Sequence, residues 1–288
     1  MVTTNASSAG ASKTMSARKK ITKVIVYILL VVFSIIFVVP FGWMVLTSLK
    51  SLEEVYQRTV LPQSLHLENY VLAVTQIPFV RYAANTVMVT ALNVIGTVVS
   101  SAMVAYSMSK IRWSGKKYLF PIIVATMMIP YQVTLIPLYM IWNKLGLVGS
   151  FAPLVIPAFF GGPYYIFLLR QFFKTIPDSL LEAATIDGAG EVRIFVQIMV
   201  PLCKPALASV AIFTFLATWS DFMGPMLYLN KQDNYTLSIG LQAFLQQHYV
   251  QWGILMAASA IFTIPIIILF FFAQKYFIEG ITVTGMKA

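Results

Sequence analysis

Long runs of apolar residues alternate along the chain with short segments that carry almost all of its charges. Five runs contain no charged residue, and each exceeds the ~20 residues that an α-helix needs to cross the hydrocarbon of a bilayer. A sixth run of similar length contains a single acid, Asp221. Each run is expected to be helical, because an isolated strand leaves its backbone groups unpaired in lipid. The pattern predicts an all-α, polytopic membrane protein with about six transmembrane helices, at 24–49, 82–109, 118–143, 145–169, 205–229 and 249–274.

The same pattern divides the chain into parts. Residues 1–23 combine Ser, Ala and Thr with closely spaced bases, a composition that predicts a disordered tail. The first span, 24–47, is followed by a polar connection over 48–81, by the other five spans within 82–276, and by a tail over 277–288. The first apolar run is longer than the ~7–15 residues of a signal-peptide core, so we interpret it as a retained anchor.

The Lys and Arg residues of the short connections predict the orientation, because cytoplasmic loops carry the positive excess. The N-terminal tail, the connection between spans two and three and the connection between spans four and five contain five, four and four of them. The connections on the opposite side contain five in total. Both termini are therefore predicted to be cytoplasmic, and residues 48–81 extracytoplasmic.

Composition narrows the function further. The 288 residues are 59% hydrophobic and 10% charged, with a mean hydropathy of +0.80, whereas soluble domains contain about 25% charged residues. The net charge of +10 does not indicate nucleic-acid binding, because the bases lie between apolar runs and not on one folded surface. The single cysteine, Cys203, excludes an intramolecular disulfide and a cysteine-based metal site, and we interpret it as a packing residue. No metal site is predicted.

The connection between spans four and five, within 174–204, is predicted to form a small cytoplasmic element. Ser179 and Glu182 form an S-x-x-E pattern after Pro177, which predicts a capping box at a helix start. Gly188 is predicted to end this helix in the left-handed conformation. A helix of two to three turns is not stable alone, so it must dock on another surface.

Two interpretations of this short helix are open. It could lie on the membrane surface, but such helices usually carry Lys and Arg, whereas 178–191 contains four acids and no base. It could instead enter a groove of another protein. Ala183 and Ala184 allow close approach, and the neighbouring apolar and acidic side chains supply the other ingredients of a helix-in-groove contact.

The same segment resembles a known signature. Glu182-Ala183-Ala184, three residues, Gly188, nine residues and Ile198-Met199-Val200-Pro201 is similar to the EAA motif of ABC importer permeases, with a conservative departure at Val200. Short motifs along nearly the whole chain follow the order seen in the sugar-importing, MalG-like branch. They include Asn85-Thr86, Ala105-Tyr106, Met128-Ile129-Pro130, Ile136-Pro137-Leu138, Ile186-Asp187-Gly188-Ala189 and Gly280-Ile281-Thr282. The resemblance implies the type I ABC importer permease fold, in the cytoplasmic (inner) membrane of a bacterium or archaeon.

The resemblance also implies function and partners. The chain would be a permease subunit, not an enzyme, that translocates a sugar while a separate subunit hydrolyses ATP. No cofactor is expected on this chain, which lacks a G-x-x-x-x-G-K-[ST] loop; ATP and magnesium would be bound by the partner. The implied partners are a second homologous (MalF-like) permease, a dimer of ATP-binding subunits, an extracytoplasmic sugar-binding protein and membrane lipid, with no nucleic acid. The residues implied to contact the ATPase are Glu182, Ala183, Ala184, Asp187, Gly188, Ile198 and Pro201, with Gly285, Met286 and Lys287 at the C-terminus.

Motion of the cytoplasmic helix is expected to reach the fifth span through two prolines, Pro201 and Pro205. Pro205 fits a helix start, where its missing N–H costs nothing. Tilting of the fifth span would then contribute to alternating access, which is largely a rocking of helix bundles around a midplane site.

Asp221 is the one acid within a predicted span, and an ionisable residue at membrane depth is by default a functional hypothesis. With Thr218, Trp219 and Ser220 it forms a polar and aromatic cluster of the kind that holds sugars, in which hydroxyls bind polar groups and the ring stacks on the indole. A contact between helices, or packing against the partner permease, is the alternative that polar groups at span interfaces commonly provide.

Three other functions compete with the sugar importer. A permease for another small solute would share the EAA motif. A self-contained carrier would use Asp221 to relay protons and would transport without an ATPase. A membrane-embedded enzyme would need several convergent ionisable groups at membrane depth, and the predicted spans contain one.

Overall fold

The computed structural model describes the backbone of residues 7–57, 59–245 and 250–285, with side chains from 19 to 274 within those ranges. Almost all of this is helical, which confirms the all-α prediction, and the described ranges contain one isolated β-bridge, Leu245 to Val250. The α-helices are α1 Ser7–Ser48, α2 Leu52–Tyr56, α3 Glu68–Thr75, α4 Phe79–Ser109, α5 Lys116–Thr126, α6 Tyr131–Lys144, α7 Ala152–Val155, α8 Pro163–Lys174, α9 Asp178–Ile186, α10 Glu191–Ile194, α11 Val200–Leu202, α12 Lys204–Trp219, α13 Met223–Tyr228, α14 Leu237–Gly240 and α15 Trp252–Gly285.

Among the described residues, four stretches are long and apolar enough to cross a membrane without a sharp bend, and two bent pairs bring the total to six. The single stretches are Lys19–Ser48, Phe79–Ser109, Ala152–Lys174 and Trp252–Gln274. The bent pairs are α5 with α6, at 100°, and α10–α11 with α12, at 80°. The number of spans expected from hydropathy is therefore reached only when each bent pair is counted as one.

Helix α1 begins at Ser7, so the structure is helical over 7–23, where the sequence predicts a disordered tail. Extending an existing helix requires no new nucleation, and the Ala, Lys and Arg of this stretch favour helix. The side chains of residues 24–39 are exposed on all faces of the helix, as expected for contact with lipid.

The predicted third span, 118–143, is not one straight helix. Helices α5 and α6 meet at 100° around residues 127–130. Pro130 ends the break with an extended backbone, at ψ 135°. The proline ring also disfavours a helical backbone at the residue before it. The fourth span begins at Ala152, after two glycines with positive φ, Gly146 and Gly149, and not at Leu145 as predicted.

The predicted fifth span, 205–229, was wrong at its outer part. Helix α12 ends at Trp219, and the short helix α13 begins only at Met223. Asp221 therefore lies in a break between two helices and not within a transmembrane helix. The start of the span was predicted correctly, since Pro205 lies in the first turn of α12.

Two hydrophobic clusters form the core, one at each end of the helix bundle. The first joins α4, α8, α10 and α12 close to α9, and Cys203 is fully buried in it as the sequence suggested. The second joins α3, the start of α4, the end of α12 and the start of α15. Helix α4 runs through both clusters, and it connects the end of the bundle that carries α9 with the opposite end.

Candidate functional site

The start of α9 is set by a proline and not by the predicted capping box. Pro177 occupies the N-cap position with φ −61° and ψ 134°, and no side chain accepts a hydrogen bond there. Ser179 is already inside the helix, whereas an N-cap residue must have a non-helical backbone. The helix therefore begins at Asp178, one residue before the predicted cap.

The end of α9 is closed as predicted, by Gly188. This glycine has φ +79°, in the left-handed region that other residues adopt at a cost. Its N–H donates to the Thr185 carbonyl at 3.0 Å, and the Ala189 N–H donates to the Ala184 carbonyl at 2.9 Å. These two bonds form a Schellman motif, which satisfies the last carbonyls of the helix.

The two faces of α9 differ in what they contact. Leu181 and Ala184 are half-buried and pack against the core cluster at this end of the bundle. Glu182, Ala183 and Ile186 lie on the opposite face, where Ile186 is 86% exposed. The EAA triplet is thus divided, because its second alanine attaches the helix to the body while Glu182 and Ala183 face outward beside an unusually exposed isoleucine.

The first residue of α9 is held by the cation of Lys110, the C-cap residue of α4. Lys110 Nζ lies 2.5 Å from Asp178 Oδ1 and donates to the Ile176 carbonyl at 2.6 Å. The hydrogen bond from Lys110 lowers the pKa of the Asp178 carboxyl below its ordinary value, so this group stays ionised at neutral pH. A second ion pair, Arg112 with Glu182 at 3.9 Å, is highly exposed and contributes little.

The remaining predicted coupling residues follow α10. Ile198 is half-buried in a π-helical turn, Phe195–Met199, and Pro201 is exposed in α11. A proline removes one helical hydrogen bond, which fits the wider turn just before it. Of the predicted C-terminal contacts, Gly285 is the last residue of α15, and Met286 and Lys287 lie outside the described residues.

A cavity of about 440 Å³ lies toward the other end of α4. It is bounded by α4, α7, the end of α12, the first half of α13, the N-cap of α14 and the first residue of α6. Six of its lining residues carry hydrogen-bonding side chains, and the rest are apolar. The lining residues are Thr86, Val89, Asn93, Tyr131, Leu154, Ala217, Thr218, Asp221, Pro225 and Thr236.

Two of the four predicted pathway residues, Thr218 and Asp221, line this cavity, and the other two do not. Trp219 is 4% exposed; its Nε1 donates to the Phe262 carbonyl at 3.1 Å, and its ring stacks on Phe215. Ser220 is exposed and donates to a carbonyl of its own helix. The structure therefore does not bring the indole to the cavity.

Asp221 also has a local structural role. Its Oδ1 accepts a hydrogen bond from the Gly224 N–H at 3.1 Å, in the first turn of α13, and its backbone carbonyl accepts one from Ser238 Oγ at 2.7 Å. The carboxylate thus shapes the break between α12 and α13 while it faces the cavity.

Sequence reasoning missed the contributions of α4 and α6 to the cavity. Asn93 lies in the middle of an apolar run, where its Nδ2 donates to the Val89 and Leu154 carbonyls at 2.9 and 3.0 Å. An amide within an apolar run was a signal that the sequence carried. Tyr131 reaches the cavity only because the chain turns sharply just before it, and hydropathy does not indicate that turn.

Comparison with known proteins identifies the family. The family described as "Binding-protein-dependent transport system inner membrane component" matches residues 98–283, a region that contains α9, both bent pairs and most of the cavity. The chain belongs to this family. It is therefore a multi-pass membrane component of a binding-protein-dependent transport system, which agrees with the membrane fold and the EAA motif.

Several members of this family resemble the chain over most of its length. The Probable ABC transporter permease protein YurM of Bacillus subtilis is 35% identical over 264 residues, which cover 91% of this chain and 88% of that protein. The Trehalose/maltose transport system permease protein MalG of Thermococcus litoralis is 32% identical, with 94% and 99% covered. A solved structure, of a bacterial ABC transporter involved in the import of the acidic polysaccharide alginate, has a TM-score of 0.79 at 26% identity and covers 90% of this chain and 98% of its own.

Proposed function

We propose that this chain is the permease subunit of an ABC importer that carries a sugar across the inner membrane, with both termini in the cytoplasm. A similar permease from Halalkalibacterium halodurans is named as a transporter of arabinooligosaccharides. The similar permease from T. litoralis is named as a transporter of trehalose and maltose. The observation that carries the proposal is the pairing, in one chain, of an exposed docking helix with a cavity lined by hydrogen-bonding groups. Such a cavity suits a solute rich in hydroxyls.

The partners follow from this assignment. Helix α9 docks on one of two ATP-binding subunits, which supply ATP and magnesium, through Glu182, Ala183, Asp187 and the Gly188 turn. The C-terminal residues Gly285, Met286 and Lys287 add a second contact with the same subunits. A second homologous permease completes the pathway, and an extracytoplasmic sugar-binding protein delivers the substrate at the cavity end of α4.

The residues of the cavity have separate roles in this proposal. Thr218, Asp221 and Tyr131 offer polar atoms to sugar hydroxyls, and Asn93 holds α4 against α7 through its bond to Leu154. Trp219 does not line the cavity but stabilises its wall, because its hydrogen bond fixes α12 against α15. Closure of the ATP-binding subunits moves α9, and the bundle then rocks so that the cavity opens to one side at a time.

Reconstitution of the chain with its natural ATP-binding subunits, companion permease and binding protein tests the proposal. We expect uptake of a labelled sugar, from a panel of neutral oligosaccharides, that depends on ATP and on the binding protein. Uptake of a non-sugar solute alone would overturn the substrate assignment. Uptake by this chain alone under an ion gradient would overturn the importer assignment, because a secondary carrier needs no ATPase.

Substitution of Asp221 separates the effect of its charge from that of its hydrogen bond with Gly224. Asp221→Asn keeps an oxygen that can accept the Gly224 N–H, whereas Asp221→Ala loses this hydrogen bond at a cost of about 1 kcal/mol. We expect uptake to fall with both variants, through a higher KM for the sugar–binding-protein complex, and thermal stability to fall only with Asp221→Ala. Wild-type KM with Asp221→Asn would show that the charge of Asp221 is not needed and that its side chain serves only to accept the Gly224 N–H.

A further inference from the structure

The segment that carries α9 is bonded at both of its ends to one turn of α4. Before α9, Lys110 Nζ contacts the Ile176 carbonyl at 2.6 Å and Asp178 Oδ1 at 2.5 Å. After α9, the Tyr106 hydroxyl donates to Glu191 Oε2 at 2.7 Å. Tyr106 and Lys110 are four residues apart, so both project from the same face of α4.

Both α4 side chains are enclosed by protein. Tyr106 is 4% exposed, and its ring packs on Phe195 at 5.1 Å. The Lys110 side chain is 6% exposed, although its partner Asp178 is 73% exposed. A buried ammonium or hydroxyl is costly unless it is hydrogen-bonded, so these bonds fix α9 relative to α4 and are not loose surface contacts.

The other half of α4 lines the cavity. Thr86, Val89 and Asn93 contribute to its wall, and Asn93 lies 13 residues before Tyr106, about 20 Å along a straight helix. Thr86 Oγ1 also accepts the Leu237 N–H at 2.9 Å, which fixes this half of α4 to α14. One continuous helix thus connects the docking segment to the substrate cavity.

The alternative route, through α12, is less direct. From α9 it passes along α10, through the π-helical turn at Phe195–Met199, and around an 80° bend before α12 begins. Irregular turns of this kind change their backbone angles more readily than the interior of a helix, so they absorb displacement.

We propose that Tyr106 and Lys110 are positioning residues, here called the α4 clamp, through which movement of α9 is transmitted along α4 to the cavity. The inference rests on the proposed function, because it assigns to α9 the contact with the ATP-binding subunit. Neither residue lines the cavity. Their role is to make α4 follow α9.

The test uses the complete transporter in proteoliposomes and measures sugar taken up per ATP hydrolysed. We expect this ratio to fall on the order of fivefold or more in Tyr106→Phe and in Lys110→Met, the size of a typical coupling between sites. Lys110→Arg, which keeps the cation, should restore much of the ratio. Ser109→Ala is the matched control, since its Oγ bonds only within α4, at Ala105 and Tyr106.

A wild-type ratio in both clamp variants would overturn the proposal. Hydrogen exchange of the 178–191 backbone provides a second measurement that does not depend on the substrate. It is made on the assembled wild-type and variant complexes. Faster exchange in Tyr106→Phe and Lys110→Met, but not in Ser109→Ala, is the expected result; equal exchange would also overturn the clamp. If the wild type takes up no sugar, the proposed substrate fails while this second measurement still decides the clamp.

Discussion

Gly188→Pro is expected to abolish sugar uptake while the protein still inserts into the membrane. The substitution removes the N–H that bonds to Thr185, and it forces φ near −65° at a position that needs +79°. The last turn of α9 would then be lost, and with it the outward orientation of Glu182 and Ile186. Membrane insertion depends on the apolar spans and is unaffected. Uptake in vesicles and the amount of chain in the membrane fraction are the two measurements.

Gly190 provides a matched control for this change. It lies two residues further on, it has φ −76°, and a Cβ there would meet nothing within 4 Å. Gly188 has the same open surroundings, so the two positions differ in backbone conformation and not in space. Gly190→Ala should transport like the wild type, whereas Gly188→Ala should be impaired by a strain of about 1–2 kcal/mol. Equal activity of the two alanine variants would show that the left-handed turn is not needed.

Ala217→Trp is expected to block transport at the cavity and to leave coupling to the ATPase intact. Ala217 lines the cavity and is exposed, so an indole can fill the space without displacing the core. Sugar uptake should fall below detection, while the complex should still hydrolyse ATP in response to its binding protein. Ala217→Ser keeps the residue small and should transport normally. Normal uptake by Ala217→Trp would mean that the substrate does not pass through this cavity.

The helical nature of the spans, and their number when each bent pair is counted as one, could be predicted from sequence because both depend on length and hydropathy. The bends could not. Prolines lie inside α1, α6 and α15 at Pro40, Pro137 and Pro265 without ending these helices, whereas Pro130 marks a 100° corner. Neighbouring helices determine whether the backbone groups that a proline leaves unpaired find hydrogen-bond partners. A proline in the sequence therefore does not show whether the helix continues or turns a corner.

The candidate site was predictable to different degrees at its two ends. Gly188 was correctly predicted to be left-handed, because few other residues adopt that conformation and the motif depends on it. The cavity was predicted only in part, because residues adjacent in sequence were assumed to point in the same direction. Thr218 and Trp219 are adjacent, but a helix rotates about 100° per residue, so one faces the cavity and the other α15.

The two corners of the chain differ in their surroundings. At the second, between α11 and α12, the side chain of Cys203 is fully buried in the first core cluster. At the first, around 127–130, Met128 is 84% exposed. In the proposed assembly, we expect this first corner to lie against the companion permease or the lumen of the pathway, because irregular backbone at membrane depth is tolerated only where protein or water covers it. The edge of the molecule that carries this corner would then face the route through the membrane and not the surrounding lipid.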